Sequence, residues 1–137
     1  MSEQQDYYKT LHIYFYGYHN PTTKDLKMLA VTKCKKCVLS KEYLVAPEVQ
    51  VSHQSAGMLS FIVMKLNELQ EKHPNHKIIL HIEDYYLTIV QQKVKEWFFS
   101  KVNQSFIFIK SLDLSSKETV KYKKLVKAYK EKTNGYE

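Results

Sequence analysis

Along this chain the spacing of apolar side chains changes period in a fixed order, and that order restricts the possible folds more than any other feature. From Leu11 to Tyr18 the alternation is strict. Leu11, Ile13, Phe15 and Gly17 share one face of an extended strand, while His12, Tyr14, Tyr16 and Tyr18 share the other. The turn-forming run His19 to Asp25 ends it. Lys27 to Lys33 reads as a second strand, Cys34 to Ser40 as strand end and turn, and Glu42 to Val51 as a third strand. Pro47 places that third strand at a sheet edge or marks a bulge. Three successive strands of this kind make an antiparallel meander.

The period then lengthens. Met58, Leu59, Phe61, Ile62, Leu66 and Leu69 recur at three- and four-residue intervals, the stripe of a helix capped by Ser52 or Ser55 and running to about Glu71. His73-Pro74-Asn75-His76 stops it. Ile78 to Ile82 is a nearly continuous apolar run suited to a buried strand. Tyr85 to about Gln104 turns helical in its later part, with Val94, Trp97, Phe98 and Val102 expected inside. Phe106 to Ile109 is a fifth strand. Ser115 and Glu118 have the spacing of a capping box, opening a last helix that ends at Asn134-Gly135. Its apolar arc is Tyr122, Leu125, Val126 and Tyr129.

A chain of 137 residues with 44% apolar side chains fits one packed domain, 1–137, with 1–9 and 135–137 as flexible tails. No apolar run approaches the roughly 18 residues that cross a bilayer, and the polar, acidic start is no secretory signal. A cytoplasmic protein without membrane contact is expected. The net charge is +7, and every basic residue is lysine. Lysine lacks the planar fork with which arginine grips phosphate and guanine edges, so contact with nucleic acid would track the backbone and weaken with salt. The excess of lysine, tyrosine, isoleucine and asparagine fits an AT-rich coding genome, such as a low-GC bacterium, a phage or a mobile element.

Three short motifs carry a resemblance. Ile13-Tyr14-Phe15-Tyr16-Gly17 lies on the first strand, Ala56-Gly57-Met58 follows Ser52-His53-Gln54-Ser55 at the start of the first helix, and Ile82-Glu83-Asp84-Tyr85 ends the fourth strand. In order and context these resemble the ribonuclease H family. The resemblance spans Leu11 to Asn134 and implies an α/β fold with a five-stranded mixed sheet, the element order βββαβαβα, and helices on both faces. It also implies what chemistry to look for. Nucleases of this family cluster carboxylates so that two divalent cations about 4 Å apart can act on a phosphodiester. Matched position by position, Tyr16 and Gly57 stand where two acids belong, and Lys121 to Lys127 stand where the last helix often carries another. Only Glu83, or its neighbour Asp84, remains acidic. The expectation is a degenerate member with no catalytic residues and no cofactor. In a divergent nuclease, Asp25 or Asp113 would have to complete a site with Glu83 and Asp84.

Other clusters are weaker. Cys34 and Cys37 have the spacing of half a zinc site, with His12, His19 or His53 as the available partners and no second pair at ligand spacing. His12 and His81 come together if the first and fourth strands pair. Eleven tyrosines offer interface anchors at Tyr14, Tyr16, Tyr18, Tyr85 and Tyr86. Lys117, Lys121, Lys124 and Lys127 with Lys35 and Lys36 could form a basic groove. The leading expectation is a binding protein contacting a protein partner, as a modulator or inhibitor of phage or mobile-element type. RNA or single-stranded DNA binding through lysines and tyrosines is the alternative, and a divergent metal-dependent nuclease the second alternative.

Overall fold

The computed structural model describes residues 10–19, 26–35, 37–46, 51–103 and 105–129, with the side chains of 19, 26, 44–46 and 51–57 outside that set. The elements run β1 (Thr10–His19), β2 (Leu26–Cys34), β3 (Cys37–Ala46), α1 (Val51–Lys72), β4 (Lys77–Ile82), α2 (Asp84–Gln92), α3 (Lys95–Lys101), β5 (Ile107–Ser111) and α4 (Lys117–Ala128). The strands form one mixed sheet in the order β3-β2-β1-β4-β5. β1 pairs antiparallel with β2 and parallel with β4. β5 adds a further parallel strand beside β4, and β3 is an edge.

The alternation in β1 divides the molecule. Ile13 and Phe15 join Met28, Ala30, Ile78, Leu80 and Ile82 beneath Met58, Phe61, Ile62 and Leu66 of α1 and Tyr86, Val90 and Phe98 of α2 and α3. The opposite face holds a smaller cluster in which Tyr16, Leu29 and Val31 pack against Leu112 and against Tyr122 and Val126 of α4. Among the described residues helices thus cover both faces, three on one and a single helix on the other. No helix among the described residues is long and apolar enough to cross a membrane.

Several local expectations are corrected. β3 begins at Cys37 and ends at Ala46 rather than spanning 42–51, because the ladder with β2 continues to Cys34↔Cys37 at the hairpin. Lys35 takes the turn there with a positive φ of 57°. Lys36 and Pro47 lie outside the described residues. The helical stretch after β4 is two helices, since Lys93 and Val94 both donate to the Ile89 carbonyl and Val94 leaves helical geometry. That break turns Trp97 outward, 38% exposed, while Phe98 is fully buried. The cap of α4 is Ser116, whose hydroxyl accepts from the Thr119 amide at 3.1 Å. Ser115 instead serves the Asp113 carboxylate. The helix is described to Ala128, and the expected stop at 134–135 lies outside the described residues.

Candidate functional site

The C-terminal ends of the parallel strands β1 and β4 converge on Gly17 and Glu83. Glu83 accepts from the Gly17 amide through Oε2 at 3.0 Å. Its other oxygen, Oε1, accepts from the ammonium of Lys123 at 3.0 Å. The same ammonium donates to the Gly17 carbonyl at 2.6 Å, closing a ring of three residues from three elements. A Cβ at position 17 would lie 3.3 Å from Glu83 Oε2, so a side chain there would press on the carboxylate that the Gly17 amide holds. Each carboxylate oxygen of Glu83 already accepts one hydrogen bond, and the Lys123 ammonium supplies the positive charge that a cation would otherwise bring.

Around this ring opens a cleft of about 440 Å³ lined by Tyr18, Glu83, Leu114, Thr119, Val120 and the ammonium-bearing Lys123, Lys124 and Lys127. Lysines three and four apart place three cations along one flank of α4. Leu114 and Val120 are 54% and 46% exposed, so the floor is apolar and the rim cationic. Lys27 donates to the carbonyls of Lys127 and Tyr129, a cation placed on the helix C-terminus.

The expected site residues disperse. Tyr16 and Tyr86, assigned to an interface, are buried in the two cores, and burial raises the pKa of both hydroxyls. Tyr14 and Tyr18 are half-buried beside α4, and Tyr85 is exposed. Lys124 and Lys127 line the cleft, whereas Lys117 and Lys121 are exposed elsewhere on α4. Lys35 sits at the hairpin beyond the His12↔Lys33 pair, at the opposite end of β1 from Gly17 and roughly 20 Å of strand away. It is therefore remote from Lys123, Lys124 and Lys127 at the cleft, while the start of α4 approaches the Lys33 end of β2. Lys33 is engaged with Glu118 at 2.8 Å, and that bond raises its pKa.

Asp84 accepts from the Ser111 hydroxyl, and Asp113, exposed, is held below the usual carboxylate range by Ser115. Asp25 and the side chains of His19 and His53 lie outside the described residues. Gly57 falls near the start of α1. Cys34 and Cys37 face each other across the hairpin as free thiols. Among the described residues no three His, Cys, Asp or Glu side chains come together as a metal-ligand group.

His12 and His81 do meet. Nδ1 of His12 lies 3.0 Å from Nε2 of His81, and Tyr14 stacks on His81 with ring centroids 4.1 Å apart. Burial foremost, then His12 and Lys110, pushes His81 down to about 4; burial, Lys110 and Lys33 lower His12 as well.

No protein-family model and no curated protein matches this chain. Solved structures do. The ribonuclease H1 called LC11, isolated from compost by a metagenomic approach, superposes with a TM-score of 0.62 at 12% identity over 87% of this chain and 94% of that one. The same enzyme in complex with an RNA/DNA hybrid gives 0.58 at 11% identity, covering 85% and 92%. The fold is ribonuclease H-like. Its cation-binding chemistry needs clustered acidic oxygens, and the described donor set does not fit that need. Glu83 is bonded to an ammonium, Tyr16 is a buried phenol, and Asp84 is bonded to Ser111.

Proposed function

We propose that this ribonuclease H-like domain binds nucleic acid without cutting it, holding phosphates along the cleft beside α4. The observation that carries this reading is the Lys123 ammonium on Glu83 and Gly17, in the place where a nuclease would bring an acid and a cation. That ammonium, paired with Glu83, takes up the acid that a metal ion would need and offers no activated water and no Lewis acid. Lys124 and Lys127 extend the charge along the cleft, and Leu114 and Val120 give the sugar edges an apolar floor. A solved structure of the same fold is a complex with an RNA/DNA hybrid, which supports a duplex of that kind as the ligand. A protein partner is the weaker reading, because Tyr16 and Tyr86, two of its five tyrosine anchors, are inside the cores.

The test is fluorescence anisotropy with a labelled RNA/DNA hybrid in EDTA. Binding should persist without divalent ions and weaken roughly 50-fold between 50 and 200 mM salt, the dependence of about three phosphate contacts. The pair Lys124→Glu and Lys127→Glu should abolish it. Affinity that needs Mg²⁺, or that ignores both salt and these substitutions, contradicts the proposal.

A further inference from the structure

Among the described residues, α4 leaves half of its sheet face uncovered, and that half is built from flat rings and lysines. Register fixes the arrangement. Across the sheet, His12 of β1 pairs with Ile79 of β4 and Ile79 with Phe108 of β5; in the next row but one, Tyr14 pairs with His81 and His81 with Lys110. All six side chains lie on the α4 side of the sheet, since Ile13, Ile78, Leu80 and Ile107 fill the other core. The crossing after β5 divides this area from the cleft. Leu112 donates to the Ile82 carbonyl and packs against Tyr16 and Tyr122, while Leu114 turns to the cleft wall.

We infer that this open half of the sheet is a platform for single-stranded nucleic acid, separate from the cleft proposed for duplex. His12 and Phe108 stand on either side of Ile79, two strand spacings apart, or about 9.6 Å. A base stacked on Phe108 therefore has room above Ile79, with His12 as the far wall of the gap rather than a second clamp. Phe108 is 46% exposed, an unusual position for a phenylalanine on a strand, while Ile79 is 8% exposed. The ammonium of Lys77 stands 4.6 Å from the Phe108 centroid, so that ring already accepts a cation that can follow a phosphate when a base arrives.

Beside this gap His12, His81 and Tyr14 stack in a continuous column, with centroids 5.3 Å and 4.1 Å apart between successive rings. Such a column does not collapse when the strand leaves. The charge around it favours a polyanion: Lys77 and Lys110 flank the rings, and Glu118, the acid acting on Tyr14, is neutralised by Lys33. Stacked rings with backbone-tracking lysines bind single strands with little sequence preference, because every base has a flat face. Duplex is excluded from such a gap, since its bases are already stacked on each other.

The experiment compares two labelled probes by anisotropy in EDTA at 50 mM salt: an oligodeoxythymidine of about twelve nucleotides and an RNA/DNA hybrid. Phe108→Ala should weaken the single strand tenfold or more, Phe108→Trp should retain it, and Lys110→Glu should weaken it several-fold. All three should leave hybrid binding within twofold. Lys124→Glu with Lys127→Glu should do the reverse. Loss of hybrid binding alone in the unaltered protein would overturn the cleft and leave the platform standing. The platform is overturned if the unaltered protein does not bind the oligothymidine, if Phe108→Ala leaves that binding intact, if Phe108→Trp fails to retain it, or if Phe108→Ala weakens both probes equally.

Discussion

The two faces of the sheet are made by the same strands and do different work. Under α1, α2 and α3 the contacts are aliphatic and aromatic carbon, with Ile62, Leu66, Ile78, Leu80, Val90 and Phe98 fully buried. Under α4 the sheet offers phenols, imidazoles and lysines, and among the described residues of that face Tyr16, Leu29 and Val31 form a closed core with the helix. Apolar burial scales with area and involves no titratable group, so the first face sets a stability that does not follow pH. Polar groups packed at half burial respond to pH, salt and ligands, so the second face is where binding chemistry can reside. Among the described residues three helices cover one side of the sheet, and ground is left open on the other.

The contrast is exposed first to truncation in the two cores. Leu80→Ala should cost about 3 kcal/mol in urea denaturation, the usual cost of an emptied aliphatic site. Tyr16→Phe, which removes only a hydroxyl linked to Thr119, should cost about 1 kcal/mol. Equal costs would erase the distinction.

A smaller effect should appear on titration. The pKa values of His12 and His81 lie below 6.5 in the folded protein, that of His81 at about 4, so the unfolded chain takes up protons first as pH falls. Stability from this pair is therefore complete above pH 6.5 and is lost on descending toward pH 4. The groups facing it are Tyr14, Lys33 and Lys110, so protonation also adds repulsion from both lysines. The loss should be about 1–2 kcal/mol, reduced from the full shift because both rings are partly in water. Denaturation at pH 7.5 and 4.5 measures it, and His81→Gln should flatten the slope; a protein equally stable at both pH values would refute the assignment.

The smallest effect is at the cleft. Lys123→Ala should lower stability by about 0.5–1 kcal/mol, since both partners of the Glu83 pair reach solvent. It should weaken hybrid binding more than it weakens folding.

Much of this architecture was legible because period and burial agree. The alternation in β1 separated Ile13 and Phe15 from Tyr14 and Tyr16 before any contact was known, and those sets fill different cores. The spacing in α1 likewise named Met58, Phe61, Ile62 and Leu66. What the pattern could not reveal was set by neighbours. The break at Lys93–Val94 carries no proline or glycine, so nothing local announces that Trp97 turns outward. Ser115 and Ser116 are chemically equivalent caps, and Asp113 decides between them by taking the first.

Alternation assigns Tyr16 a face without saying which helix lies over it, and nearness to a strand end does not say that Tyr86 turns into the core. Lys123 was within reach: the run Lys121 to Lys127 lay where the resemblance placed an acid. The phase of α4 and the approach of Gly17, both tertiary, select which lysine meets Glu83.

An internal ammonium, that of Lys123, satisfies Glu83 at the ends of β1 and β4. Titration calorimetry with Mn²⁺, run alongside incubation of the same protein with a labelled RNA/DNA hybrid, addresses that pairing most directly. The account predicts only heats of dilution and an intact hybrid. Saturable manganese uptake accompanied by cleavage that Glu83→Gln abolishes would contradict it.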